Sequence, residues 1–162
     1  MLIYLFKTEE KICSSINYDV LDVLLDHPLY SYLNLTNAVK YAANILKGRW
    51  PQLEQNILQS KHAPAAVEYA QWVLHGRWNE AESFIMADPK SAWEYAFCVM
   101  KSRWIEAESY IIIHPHSAYC YSKCIMKNRW QEAENNMYFD VIVWNQYQEF
   151  LKGLEQQNAS IS

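Results

Sequence analysis

The sequence predicts an all-α protein, an α-solenoid of about four to five short helical hairpins. With only 3 Gly and 5 Pro, the 162-residue chain has too few turn residues for an all-β sandwich or barrel. A segment centred on a tryptophan recurs along the chain, and the residues before each copy follow a helical period. Tetratricopeptide repeats stack into solenoids in the same way, although the period of this chain is shorter than theirs.

The repeat is visible in four copies of one segment. They read KGRWPQLEQNI, HGRWNEAESFI, KSRWIEAESYI and KNRWQEAENNM. Their tryptophans are spaced by 28, 26 and 26 residues and are Trp50, Trp78, Trp104 and Trp130. The tyrosines before them keep the same spacing and are Tyr41, Tyr69, Tyr95 and Tyr121. A further step of 26 residues reaches Tyr147, which indicates a fifth, degenerate copy.

The first half of each copy predicts a helix. Small and large apolar residues alternate along one side of it at helical spacing, so neighbouring helices can interdigitate. In the third copy this stripe consists of Ala92, Tyr95, Ala96, Val99 and Met100. We expect Asp88 to cap this helix, with Pro89 at its first position.

The second half of each copy predicts a shorter helix of about eight to ten residues. We expect the preceding helix to end near Gly48, Gly76, Ser102 and Asn128, since Gly and Asn suit a left-handed conformation. The second helix then begins at or just after the tryptophan. Pro51 fits its first position, and the helix dipole favours glutamates in its first turn.

These patterns divide the chain into a cap, the repeats and a tail. Residues 1–35 carry no clear copy and predict an N-terminal cap, in which Asn17 to Pro28 reads as one amphipathic helix. The hairpins are predicted at 36–61, 62–87, 88–113 and 114–139, with the degenerate one at 140–155. The tail, residues 156–162, is expected to fray.

A charged group inside the repeat has the composition of a small active site. In the third copy it consists of Arg103, Glu106 and Glu108, and only the first copy departs from it, with Gln52 in place of the first glutamate. An active site is seldom built four times along one chain. We therefore expect each arginine to tie its hairpin to a neighbour, or to the start of its own second helix, by a charge-assisted bond. The residues assigned to this framework are Arg49, Trp50, Arg77, Trp78, Arg103, Trp104, Arg129 and Trp130.

Catalysis, cofactors and metals find no support in the sequence. It contains no glycine-rich phosphate loop and no HExxH or GxSxG segment, and no nucleophile has an evident base. Cys120 and Cys124 stand at i and i+4, whereas structural zinc sites use CxxC-like pairs on turns. We expect small buried thiols at these positions, no enzymatic activity, no cofactor and no metal.

The composition predicts a soluble protein of a reducing compartment, the cytoplasm. The four cysteines form no CxxC pair and no signal peptide precedes them. No apolar run approaches the roughly 20 residues that cross a bilayer. The net charge of −4 argues against wholesale nucleic-acid binding through a basic surface, although charge can be segregated by face.

Positions that differ between copies are the expected contacts with a partner, because what repeats is expected to be structural. Exposed aromatic residues beside lysines are typical of protein-binding surfaces. Trp93 and Tyr119 have a second interpretation, the filling of gaps between hairpins. The residues predicted to contact a partner are Trp72, His75, Trp93, Phe97, Lys101, Tyr119, Lys123 and Lys127.

One line down the predicted stack leans basic and consists of Lys47, His75, Lys101 and Lys127. The second helices carry the glutamates instead. One interpretation is that lysines in a last helical turn complement the helix dipole. Another is the alternative function, a nucleic-acid-binding repeat protein that uses this Lys/His line with adjacent aromatics.

The copies resemble a tandem repeat that reads roughly KGRWPEAE, with YA shortly before it, found mainly in bacteriophages and large DNA viruses. The resemblance covers about Asn34 to Phe139 and rests on the Arg-Trp pairs, the glutamates and the Tyr-Ala pairs. The first copy departs at Gln52 and Leu53, and the fourth has Ser122 where the others have Ala. The resemblance implies no known chemistry. It implies a viral accessory protein in the host cytoplasm that binds and inhibits or redirects a host protein, such as a defence factor.

Overall fold

Helices make up all the regular structure of residues 35–159, which are the residues that a computed structural model of the protein describes. The α-helices in this range are α1 Leu35–Tyr41, α2 Pro51–Ser60, α3 Ala63–Tyr69, α4 Asn79–Ala87, α5 Pro89–Tyr95, α6 Ile105–Ile111, α7 Pro115–Tyr121, α8 Glu134–Tyr138 and α9 Val141–Ala159. A 3₁₀ turn, Gln131–Ala133, precedes α8. The all-α prediction is confirmed for this part of the chain. The helix predicted at Asn17 to Pro28 lies outside the described residues.

The helices alternate between a first and a second helix of each hairpin. The first helices are α1, α3, α5, α7 and α9, and the second helices are α2, α4, α6 and α8. From the second hairpin to the fifth, each first helix packs against the first helix of the previous hairpin and against the second helix that precedes it. Alanines with no exposed surface, such as Ala66, Ala92 and Ala118, let these helices approach closely. The helices therefore pack in a repeated arrangement around one continuous core.

The last helix continues further than expected. The sequence predicts a fraying tail from Gln156, but α9 runs through Ala159. Glutamine is a good helix former and no proline follows Gly153, so nothing in this segment ends the helix earlier. Val143 and Tyr147 of α9 are buried, which places its first half in the position of a first helix.

Each of α1, α3, α5 and α7 continues directly into a π-helical turn. These turns are Ala42–Leu46, Ala70–Leu74, Ala96–Met100 and Ser122–Met126. The next residue is left-handed in every case, with φ of 51° at Lys47, 53° at His75, 55° at Lys101 and 51° at Lys127. The prediction that Gly48, Gly76, Ser102 and Asn128 take this conformation is wrong by one residue. Gly48 and Gly76 have no positive φ, and the Lys47 amide instead closes a wide turn onto the Ala42 carbonyl.

The starts of the helices follow the sequence closely. Asp88 caps α5 by accepting a bond from the Ser91 amide at 2.9 Å, and Pro89 is the first helical residue, as predicted. His62 and His114 occupy the equivalent positions and accept through their Nδ1 atoms. A tryptophan stands immediately before each second helix or its 3₁₀ turn, and Pro51 opens α2, which confirms the predicted start.

A hydrogen-bond network joins each hairpin to the next. In the second hairpin, the Arg77 guanidinium donates to both oxygens of Glu82, at 2.8 and 2.7 Å. The Tyr95 hydroxyl, from the third hairpin, donates to Glu82 Oε1 at 2.9 Å. The same hydroxyl accepts from the backbone amide of Trp78 at 2.7 Å. The tyrosine therefore holds the previous hairpin by its backbone and by its glutamate.

The network recurs at every junction between described hairpins. Its four versions are Arg49–Glu54–Tyr69–Trp50, Arg77–Glu82–Tyr95–Trp78, Arg103–Glu108–Tyr121–Trp104 and Arg129–Glu134–Tyr147–Trp130. Each arginine bonds the start of its own second helix, and the link to the neighbour passes through the tyrosine. The other glutamates of the repeat, Glu80, Glu106 and Glu132, are exposed. This exposure explains why the first copy tolerates Gln52 at the equivalent position.

The buried hydroxyl is the strongest part of this network. The arginines are exposed, so solvent screens their ion pairs with the glutamates. The hydrogen bond from arginine lowers the pKa of Glu54, Glu82 and Glu134, which keeps these acceptors ionised at neutral pH. Burial raises the pKa of the Tyr121 hydroxyl to about 12, so it remains a neutral donor.

Removing one tyrosine hydroxyl should weaken the whole array. We expect Tyr95→Phe to lower the free energy of unfolding by about 1–3 kcal/mol, because the buried Trp78 amide loses its acceptor. Urea unfolding followed by tryptophan fluorescence measures the effect. Tyr110→Phe removes an exposed hydroxyl and is the matched control. Equal stability of the two variants would contradict the role given to the network.

Candidate functional site

The side chains that the network does not use collect on the outward side of the first helices. Where α3 and α5 lie side by side, this surface consists of Glu68, Trp72, Trp93, Glu94 and Phe97, which we name the α3–α5 face. Glu68 and Trp72 stand four residues apart, as do Trp93 and Phe97, so each pair projects from successive turns of its helix. The three aromatic residues differ from their counterparts in other hairpins, whereas Glu68 and Glu94 occupy the same position of two successive hairpins.

Three aromatic rings dominate the α3–α5 face. Trp72 is 56% exposed and Phe97 is 47% exposed. Trp93 packs partly against the core, and its ring centroid lies 6.1 Å from that of Phe97. The Trp93 indole Nε1 is shielded from solvent and has no hydrogen-bond partner. Trp93 thus packs partly against the core and lies beside the exposed Phe97 ring.

Two glutamates lie beside these rings. Burial raises the pKa of Glu68, and the like charge of Glu94 raises it further, while Lys40 and His62 act in the opposite direction. Burial also raises the pKa of Glu94, with Asp88 adding to the rise and Lys90 opposing it. The Oε2 atom of Glu68 is buried without a hydrogen-bond partner. The face therefore holds two partly desolvated carboxylates that no cation neutralises by direct contact within residues 35–159.

The junction between α7 and α9, two junctions along from α3–α5, has a different character. Tyr119 is only 9% exposed, and its hydroxyl accepts a bond from Lys123 Nζ at 3.1 Å. That bond raises the pKa of Lys123. An open pocket of about 480 Å³ lies over this pair and is lined by Tyr119, Lys123, Asn145, Gln146, Glu149 and Phe150. The structure places these two predicted contacts together, one hairpin away from the α3–α5 face.

The basic line occupies the ends of the first helices. Lys47, His75, Lys101 and Lys127 are the left-handed residues that follow the π turns, and all four are exposed. Positive charge at a helix C-terminus complements the helix dipole. This position favours the interpretation that the basic residues complement the helix dipole, because each of them stands at the left-handed residue that ends a π turn. The aromatic rings of the α3–α5 face lie about one helical turn further back.

Within residues 35–159 the first helices and their π turns carry three half-buried cysteines, Cys98, Cys120 and Cys124. Cys120 Sγ is 3.5 Å from His116 Nε2, and burial raises the pKa of the thiols of Cys98 and Cys120. No group of three His, Cys, Asp or Glu residues in the described range is arranged to hold a metal ion. Raised thiol pKa values also make these cysteines poor nucleophiles at neutral pH.

A second exposed apolar patch escaped the sequence reasoning. Its exposed side chains at the turn between α8 and α9 are Tyr138, Phe139, Val141 and Ile142. The sequence of the turn contains a signal that points to this patch. The third and fourth hairpins enter their first helices through Asp88-Pro89 and His114-Pro115, whereas this one uses Asp140 and Val141. The loss of proline and the run of apolar residues mark it as a position that differs between copies.

Similarity to known proteins adds no functional assignment. No family model, curated protein or solved structure matches this chain. No helix within residues 35–159 is long and apolar enough to cross a membrane. The function therefore has to be inferred from the chain's own residues.

Because Glu68 is partly desolvated, removing its charge is expected to stabilise the protein by an amount that depends on pH. A raised pKa means that Glu68 favours folding in its protonated form, so its contribution is lost as pH rises through the folded-state value. We expect Glu68→Gln to match wild type in melting temperature near pH 4 and to exceed it increasingly towards pH 7. Thermal melts across this range measure the difference. Glu106→Gln makes the same substitution at an exposed position and is melted in parallel as the control. A constant offset between Glu68→Gln and wild type would contradict the assignment.

Proposed function

We propose that this chain is a non-enzymatic protein-binding module, an α-solenoid of tetratricopeptide-like hairpins with a period of about 26 residues. Packing of each hairpin on its neighbours supports the solenoid, because every junction uses the same tyrosine bridge. A rigid array of this kind offers a long surface whose outward side chains can change without disturbing the core.

The observation that carries the proposal is the exposure of Trp72 and Phe97 beside the half-buried Trp93. Large aromatic rings are enriched in protein–protein interfaces and dominate their binding energy. Neither exposed ring takes part in the repeated network. Their position on adjoining helices forms one patch, which suits a single partner.

The charged residues support a binding function over a catalytic one. The four arginines of the chain each bond a glutamate of the repeat framework, so the group that has the composition of an active site is used for structure. Nucleic-acid binding has weaker support, because the centre of the α3–α5 face carries Glu68 and Glu94 where phosphates would need cations.

The resemblance to the viral KGRWPEAE repeats supplies the biological setting of the proposal. In that setting the chain is a bacteriophage accessory protein of the host cytoplasm. Its α3–α5 face binds a host protein, such as a defence factor, and inhibits or redirects it. The argument for this step is the sequence resemblance alone.

Affinity purification tests both whether the chain binds a protein partner and whether the α3–α5 face is the binding surface. Tagged wild-type protein, a Trp72→Ala/Phe97→Ala variant and a Phe139→Ala/Ile142→Ala variant are expressed in the native host, and bound proteins are identified by mass spectrometry. We expect wild type and the Phe139 variant to retain one partner that the Trp72 variant loses by at least about tenfold. Circular dichroism checks that both variants fold.

Two outcomes would contradict the proposal. If the partner is lost only in the Phe139 variant, the binding surface is the patch at the turn between α8 and α9. If the bound material is released by nuclease, or binding falls steeply with salt, the partner is nucleic acid.

A further inference from the structure

We infer that the α3–α5 face recognises an arginine-containing segment of its protein partner, with the guanidinium seated between Glu68 and Glu94 and against the rings of Trp72 and Phe97. This inference rests on the proposed protein-binding function and names the chemistry of the partner. Two features of the face carry it, namely its local negative charge and its exposed aromatic rings.

One outward position of the first helices is acidic only in the middle of the row. The position of Glu68 and Glu94 is occupied by Lys40 in the first hairpin, Cys120 in the fourth and Gln146 in the fifth. Only α3 and α5 therefore bring two carboxylates to adjoining helices. Lys40 and Lys123 flank this acidic centre on either side, so a cationic group has one favoured place to bind.

Both carboxylates lack a direct counter-ion in the described part of the chain. The ion pairs within residues 35–159 engage the glutamates of the repeat framework and Glu149, and none reaches Glu68 or Glu94. The like charge of Glu94 raises the pKa of Glu68, so the two carboxylates repel each other. A bound cation would supply hydrogen bonds and relieve this repulsion, since charge-assisted bonds are the strong ones in partly buried sites.

The aromatic rings favour arginine over lysine. A guanidinium is planar, stacks on aromatic faces and is more weakly hydrated than an ammonium. Trp72 follows Glu68 by one turn, and Phe97 follows Trp93 by one turn, so rings stand beside the acids on both helices. The guanidinium can therefore contact a ring while it donates to a carboxylate.

The exposed rings indicate that the ligand is a polypeptide. Trp72 and Phe97 offer apolar area that a free cation cannot cover. A segment with an arginine and adjoining apolar residues can contact both the rings and the carboxylates.

A second copy of this chain is a poor candidate for the ligand. Its only arginines are Arg49, Arg77, Arg103 and Arg129, and each already makes a bidentate pair with a glutamate of its own hairpin. Binding in trans would have to break one of these pairs. Nucleic acid is disfavoured because Glu68 and Glu94 would face its phosphates.

Selection from a random peptide display library tests the inference. We expect peptides selected on wild-type protein to share an arginine. For such a synthetic peptide, Glu68→Gln/Glu94→Gln should weaken binding about tenfold or more in calorimetry. Replacing the arginine by citrulline, a neutral isostere, should weaken binding to wild type by a similar factor. The citrulline replacement should have little further effect on binding to the Glu68→Gln/Glu94→Gln variant.

The matched control is Glu106→Gln/Glu132→Gln, which removes the same net charge from exposed positions of the second helices. We expect it to bind the arginine peptide like wild type. An equal loss in this control would mean unspecific charge attraction and would overturn the inference.

Other results separate this inference from the proposed function. Selected peptides without a basic residue, lost in Trp72→Ala/Phe97→Ala but kept in Glu68→Gln/Glu94→Gln, would overturn the arginine site and leave the binding face intact. If no selected peptide depends on Trp72 and Phe97, both proposals fail.

Discussion

The tyrosine hydroxyl that bridges one hairpin to the backbone of the previous one is the interaction on which the rest of the structure depends. Tyr95 fills the core with its ring and satisfies a tryptophan amide that the interhelical turn would otherwise leave buried and unpaired. Its bond to Glu82 fixes the glutamate, which in turn orients Arg77. One side chain thereby determines the geometry of the turn, the second helix and the junction. Because each described junction repeats it, the array is held together by nearest-neighbour contacts.

This arrangement explains why the outward surface can carry specific chemistry. The core is built from alanines, tyrosines and the tryptophans beside them, with ring centroids 5.2 Å apart for Tyr69 and Trp78 and for Tyr95 and Trp104. The outward side chains of the α3–α5 face take no part in this framework. Partly desolvated acids and exposed rings lower the stability of an isolated protein. Their presence together on one face is consistent with a surface whose complement comes from another molecule.

The sequence predicts the helical hairpins well because the information is local and repeated. The spacing of Trp78 and Tyr95, the proline after Asp88 and the alanine stripe each follow from periodicity and capping. The sequence does not predict that each first helix closes with a π turn. It therefore favours Gly76 as the left-handed residue, whereas the structure has His75 in that conformation. That choice depends on where the tryptophan amide must lie to meet the tyrosine hydroxyl, which is a contact across hairpins.

The site shows a similar division between what was predicted and what was not. Variable aromatic positions such as Trp72 and Phe97 could be read from disagreement between the copies. The sequence does not reveal that Glu68 and Glu94 lie on adjacent helices. It also does not reveal that burial removes water from their carboxylates and raises their pKa values. Lys101 and Lys127 appeared as part of a binding line, whereas the structure places them at helix ends with a geometric role of their own.

Native-state hydrogen exchange of the Trp78 backbone amide tests the tyrosine bridge most directly. Amides in turns between helices usually exchange quickly, because local fluctuations expose them to water. If Tyr95 holds this amide from the next hairpin, exchange requires the two hairpins to separate. The account predicts that Trp78 exchanges among the slowest amides, with an opening free energy near that of global unfolding. Exchange at the rate of an exposed turn amide would contradict it.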